Sequence, residues 1–252
     1  MTSESGQNLD FSDQTALVTG ATRGIGEAIA DALGARGATL LLTGTDPDDI
    51  ERRNAAAPPG RRYLRADFAS ADGLQAFLDQ LASIDRIDVC INNAGINRVD
   101  AVDEIDPADW DAVANVNLRA PALITGVVAR TMKRHGYGRI VNVSSIWGHR
   151  VWEKRATYAS TKWGLRGLTA ASARDLAADG ILVNTVSPGF TDTALVRRNY
   201  SEAELASVVN RIPLGRLART DEIATAVLFL ASRGNSYITG QSLVVDGGYG
   251  LG

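Results

Sequence analysis

Short, unbroken apolar runs alternate with longer stretches of helical periodicity along this 252-residue chain. The apolar runs at 16–19, 39–43, 63–66, 87–92, 140–144, 182–186 and 242–245 read as strands. Helical spacing covers 25–36, 70–84, 107–134, 156–179, 194–209 and 221–232, with a weaker stretch at 46–57. A strand buried on both faces shows a continuous apolar run rather than an alternating one. Seven such runs separated by amphipathic helices predict an α/β fold: one doubly wound, seven-stranded parallel sheet with helices on both faces.

Local punctuation agrees with these elements. Asp106-Pro107 predicts a capped helix start with proline at the first position. Gly180 marks a helix end, and Thr220-Asp221-Glu222 opens the last helix. Pro58-Pro59 and Gly136-Tyr137-Gly138 mark loops.

Composition narrows the picture. Hydrophobic residues make up 45%, with no break along the chain, which suits a single domain over 13–252. Residues 1–12 are polar and predict a flexible N-terminal tail without the pattern of a signal peptide. The net charge of −3 and the lack of a basic block argue against nucleic-acid binding. The longest apolar runs fall short of the roughly 20 residues of a membrane span, so no membrane partner is expected and the cytoplasm is the default location. Cys90, the single cysteine, lies in a strand run and reads as core. No histidine, cysteine and carboxylate grouping has metal-ligand spacing, so no metal site is expected.

Chemistry enters directly after the first strand. There Gly20-Ala21-Thr22-Arg23-Gly24-Ile25-Gly26 opens into a helix. Glycines permit a tight turn and close backbone approach, and a helix N-terminus favours a pyrophosphate. The position predicts a Rossmann-type dinucleotide site, with a plain glycine-rich connection as the alternative.

Tyr158 and Lys162 stand four residues apart in a helical stretch and so share a helix face. A phenol ordinarily titrates near about 10. An ammonium about 4 Å away at an effective dielectric of about 20 contributes roughly 4 kcal/mol, enough to lower the phenol by some three units. The pair therefore predicts a phenol tuned for proton transfer near neutral pH. The same spacing also occurs on ordinary solvated helix faces.

The motifs gain weight as an ordered set. Thr19 to Gly26, Asn92-Asn93-Ala94-Gly95, Asn117, Ser145, Tyr158-x-x-x-Lys162 and Pro188-Gly189 follow one another over nearly the whole chain. In that order the chain resembles the single-domain short-chain dehydrogenase/reductases, 3-oxoacyl-carrier-protein reductases among them. The resemblance implies a catalytic set of Asn117, Ser145, Tyr158 and Lys162. Tyr158 would transfer the proton, and Ser145 would donate a hydrogen bond to the substrate oxygen, with Ser144 a competing neighbour. Lys162 would tune Tyr158 and bind the nicotinamide ribose. Asn117 would distort its helix and hold a water between the lysine and solvent.

Cofactor contacts implied by the same resemblance are Gly20, Thr22, Arg23, Gly24, Ile25, Gly26, Thr45, Asp67, Asn93, Ala94, Gly95, Pro188, Gly189, Thr191 and Thr193, besides Tyr158 and Lys162. Asp67 reads equally as an ordinary loop carboxylate, and a threonine after Pro188 as a helix cap. The family pattern puts an acid for the adenosine ribose at the end of the second strand. Here that position is Gly44, followed by Thr45, while Arg23 stands ready for an extra phosphate. A preference for NADP(H) is expected, with NAD(H) left as the alternative and Asp46 as a complication.

Segments 146–155 and 190–212 are expected to border the substrate, a small-molecule carbonyl or alcohol. Ser145, Trp147, His149, Arg150, Trp152 and Tyr158 are the candidate contacts. Arg150, Lys154 and Arg155 suggest an anionic or strongly polar substrate, or else a subunit contact at an exposed helix start. The implied function is an NADP(H)-dependent oxidoreductase, with a 3-oxoacyl-carrier-protein reductase or an NAD-dependent sugar or hydroxy-acid dehydrogenase as alternatives. A catalytically silent cofactor-binding regulator belongs to a different class. The resemblance also implies a homotetramer built through the helices carrying Asn117 and Tyr158 and through the C-terminal strand.

Overall fold

The computed structural model describes residues 9–251. The strands among them are β1 (Thr15–Val18), β2 (Thr39–Gly44), β3 (Arg61–Arg65), β4 (Val89–Asn92), β5 (Gly138–Val143), β6 (Ile181–Pro188) and β7 (Ser242–Val245). They form one sheet in the order β3-β2-β1-β4-β5-β6-β7, and every neighbouring pair is parallel. The order reverses between β1 and β4. A crevice opens there at the carboxyl ends of the strands, where open α/β sheets bind ligands.

The helices are α1 (Gly24–Gly34), α2 (Pro47–Ala55), α3 (Ala71–Ala82), α4 (Pro107–Ala114), α5 (Ala120–His135), α6 (Ala156–Leu176), α7 (Ala194–Asn199), α8 (Glu202–Val209) and α9 (Thr220–Ala231). Neighbouring strand residues feed opposite layers, as the period of two requires. Val18 packs with Ile29 and Leu33 of α1 and Val227 of α9. Leu17 packs on the other face with Phe77 of α3, Ile124 of α5 and Cys90. Both layers exclude water, which is why the strands read as continuous apolar runs. The seven-stranded doubly wound architecture expected from the sequence is the one observed.

Three boundaries differ from expectation. The helix predicted over 107–134 is real, but a π-helical turn, Asn115–Arg119, interrupts it between α4 and α5. Asn117 sits in that turn, fully buried. The helix predicted over 194–209 breaks into α7 and α8 because the Ser201 hydroxyl accepts from Glu204 N while Glu204 Oε2 accepts from Ser201 N. The expected tail, 1–12, lies mainly outside the described residues. Its end is packed: Phe11 is fully buried and its amide donates to Arg36 O at 2.9 Å.

Pro107–His135 is long and apolar enough to cross a membrane by composition. About half of that segment is buried in the fold, Val113, Ile124, Val128 and Met132 among it, while Trp110 and Leu123 stay exposed.

Candidate active site

The glycine turn is held open by its neighbours. Gly20 N donates to Thr43 Oγ1 at 3.0 Å, Ala21 N to Thr43 O at 2.9 Å, and Asn93 Nδ2 to Thr19 O and Gly20 O at 2.9 and 3.0 Å. Gly20 and Gly24 adopt left-handed φ of +64° and +59°, where a side chain would be strained. A Cβ on Gly26 would collide with Gly20 O and Asn93 Nδ2. No side chain caps the start of α1, so its first amides face the crevice. This cradle of backbone donors fits the pyrophosphate of a nicotinamide dinucleotide.

The crevice is a cleft of about 540 Å³. Every glycine-turn residue expected to contact cofactor borders it, as do Thr45, Asp67, Asn93, Ala94, Gly95, Pro188, Gly189, Thr191 and Thr193. Ser145, Tyr158 and Lys162 border the far end. Thr193 borders the cleft and also caps α7, accepting from Val196 N at 3.3 Å. Asp46, the expected complication, borders the cleft and caps α2 with Oδ1, which accepts from Asp48 N and Asp49 N. Arg52 joins Arg23 at the adenosine end. It was missed because only the register of α2 turns it toward the cleft.

The two adjacent serines separate cleanly. Ser144 Oγ donates to Lys162 O at 3.1 Å and is committed to the packing of α6. Ser145 Oγ accepts from Trp147 N at 3.2 Å and lies near enough to the Tyr158 phenol to lower its pKa. Asn117 is fixed from both sides. Its Oδ1 accepts from Ile96 N at 2.9 Å, and its Nδ2 donates to Ile96 O at 2.9 Å and Thr161 Oγ1 at 3.2 Å. The π-turn supplies the extra backbone residue that brings this amide inward.

Lys162 makes no hydrogen bond to the phenol oxygen, although its spacing puts the two on one helix face. Its Nζ donates to Val143 O at 2.9 Å and lies 5.5 Å from the Tyr158 ring centre. Burial pushes Tyr158 up to about 12, and the nearby Ser145 hydroxyl and Arg155 charge offset only part of this. Burial brings Lys162 down to about 8. As folded, desolvation is the largest influence on both groups.

Three expected substrate contacts lie elsewhere. His149 turns behind β6 and β7, with Nε2 3.1 Å from Ser187 Oγ and 3.0 Å from Ser242 Oγ. Burial, with the Arg166 charge, lowers its pKa. Arg150 lies toward the C-terminal turn near Tyr249. Trp152 packs edge-on against Trp147 at 5.6 Å, under the Arg211 guanidinium. Trp147 itself does border the cleft. Phe190 and Tyr200 also border it and had not been singled out. Their signal was the position of segment 190–212 after β6, which named a region and not residues.

Comparison with known proteins agrees with this geometry. A family model described as enoyl-(acyl carrier protein) reductase matches residues 20–250. The chain is 35% identical over 241 residues to the 3-oxoacyl-(acyl-carrier-protein) reductase FabG of Escherichia coli K12, covering 95% of this chain and 98% of that one. It is 39% identical over 243 residues to the cis-4-hydroxycyclohexanecarboxylate dehydrogenase of Sinomonas cyclohexanicum, covering 95% and 97%. Among solved structures, a gluconate 5-dehydrogenase from Burkholderia cenocepacia J2315 in complex with NADP and tartrate superposes with a TM-score of 0.88. That pair shares 32% identity and covers 97% and 98% of the two chains. A sheet of this order with this cleft and these relatives defines a nicotinamide-dependent oxidoreductase. The chain belongs to the short-chain dehydrogenase/reductase family, and it acts on alcohol and carbonyl groups with NAD(P).

Proposed function

We propose that this protein is an NADP(H)-preferring oxidoreductase that interconverts a carbonyl and an alcohol on a small molecule, with Tyr158 as the general acid/base. The carrying observation is the convergence of Ser145 and Tyr158 at the end of a cleft whose other end is the glycine cradle. When bound, the nicotinamide supplies or accepts the hydride. Ser145 holds the substrate oxygen where negative charge develops, which lowers the barrier. Tyr158 moves the proton at that oxygen. Lys162 binds the ribose beside it and holds Tyr158 in place, and Asn117 keeps the Ile96 loop and α6 in register behind them.

The preference for the phosphorylated cofactor rests on Gly44 where an acid would stand, with Arg23 and Arg52 beside it. Asp46 caps α2 through Oδ1 yet also borders this end of the cleft, so its charge works against the phosphate that Arg23 and Arg52 would hold. A homotetramer in the cytoplasm completes the reading. In support, Trp110, Leu123 and Trp163 leave apolar surface exposed on α4, α5 and α6, and Leu243 and Val244 do so on the edge strand β7. The similarity to FabG favours 3-oxoacyl thioester reduction as the second reading. Cofactor absorbance followed over a library of ketones and alcohols with NADPH and with NADH tests the proposal. Turnover with an NADPH advantage supports it, and cofactor binding without turnover contradicts it.

A further inference from the structure

The start of α6 carries a buried cation that forms no direct ion pair among the described residues. Arg155, the residue before α6, is 5% exposed. Its Nη2 donates to Tyr200 Oη at 2.8 Å, and its guanidinium lies 5.2 Å from the centre of the Tyr200 ring. Nε and Nη1 are shielded from solvent and find no hydrogen-bond partner among the described residues. Glu204 feels this charge, but its Oε2 is taken by Ser201 N and Ser201 Oγ at 2.7 and 2.8 Å. Asp100 meets Arg155 through a backbone bridge. A charge held out of water with unmet donors is strongly unfavourable, and a guanidinium does not escape by losing its proton. A ligand anion would remove that penalty.

Position says which ligand. Arg155 stands three residues before Tyr158, and its charge reaches the phenol. Tyr200, which it holds, borders the cleft and packs edge-on against Phe190 at 5.5 Å. The surrounding wall is Trp147, Phe190, Leu195, Val196 and Asn199, all uncharged. The carboxylates that border the cleft, Asp46, Asp49 and Asp67, belong to its adenosine end.

We propose that Arg155 reads a carboxylate on the substrate, with Tyr200 as the gate in front of it. One carboxylate oxygen takes up Nε and the other shares Nη2 in arginine's side-on fork, as the Tyr200 ring moves aside while its hydroxyl stays within reach. The substrate is then a free keto or hydroxy acid rather than an uncharged thioester. This rests on the reading of the cleft as a carbonyl/alcohol site and names the chemical class that site accepts.

The test measures NADPH oxidation with levulinate, 4-oxocyclohexanecarboxylate and their methyl esters. The expected result is an acid kcat/KM at least roughly tenfold above that of its ester in one pair or both. In Arg155→Met that advantage should fall below about threefold through KM, with the NADPH Kd and thermal midpoint retained. Arg155→Lys keeps the charge but loses the fork, and should lose part of the advantage; it carries the comparison should the methionine variant not fold. Esters reduced as well as acids, or an acid advantage unchanged in both variants, would overturn the role of Arg155 while leaving the carbonyl reading intact. Bound NADPH with neither acids nor esters reduced would overturn that reading, and this inference with it.

Discussion

Lys162 Nζ lies 5.5 Å from the centre of the Tyr158 ring and donates to Val143 O at 2.9 Å. The lysine is thus tied to the last residue of β5 rather than to the phenol oxygen. This makes it a positioning group for α6 as well as a charge. Because burial holds it down to about 8, its protonation state changes within the working range of pH.

Stability of the cofactor-free protein should follow that titration. Lys162 falls from 10.5 unfolded to about 8 folded, so between those values the unfolded chain binds more protons. Stability from this group therefore rises as pH climbs from about 8 to 10.5, by at most roughly 3 kcal/mol. Tyr158, raised from 10.0 to about 12, acts with the opposite slope above 10. Thermal midpoints of wild type and Lys162→Met at pH 7.5 and 9.5 check this. Wild type should gain on the variant as pH rises; parallel curves would contradict the lowered lysine.

The two serines should part company. Ser145→Ala removes the donor at the developing charge and should lower kcat by about 10²- to 10³-fold. Ser144→Ala removes a buried hydrogen bond to Lys162 O, which costs about 1 kcal/mol, and should retain most turnover. Steady-state kinetics and urea unfolding on both variants separate these effects.

The glycine turn and the catalytic spacing were legible because they are local: one strand, one turn and one helix face contain all the information. The π-turn at Asn117 was legible only through the family likeness, since its cause lies in the Ile96 loop across the fold. His149 was misplaced for the same kind of reason. Its neighbours in sequence border the substrate region, but its ring is captured by Ser187 and Ser242 from β6 and β7. Arg155 stood in the sequence as one of three basic residues. Folding alone buries it and leaves Arg150 and Lys154 elsewhere.

Asn117→Leu should damage the fold behind the cleft. The substitution strands Ile96 N and O without their partner, at about 1–3 kcal/mol for each buried group. A lower unfolding midpoint together with weaker turnover is expected; an unchanged midpoint would show that the Ile96 loop does not depend on this amide.

Cofactor choice should respond to Arg52. Arg52→Ala should reduce kcat/KM with NADPH by roughly tenfold and leave NADH nearly unchanged, since a charge-assisted phosphate contact is lost. Equal loss with both cofactors would place Arg52 outside the discrimination.

Tyr158→Phe tests the central claim most directly. The variant keeps the ring that packs in the cleft and loses the oxygen that moves the proton. Its NADPH dissociation constant should match wild type while kcat on any substrate the wild type turns over falls at least about 10²- to 10⁴-fold. Retained turnover with intact cofactor binding would contradict the assignment of Tyr158 as the acid/base.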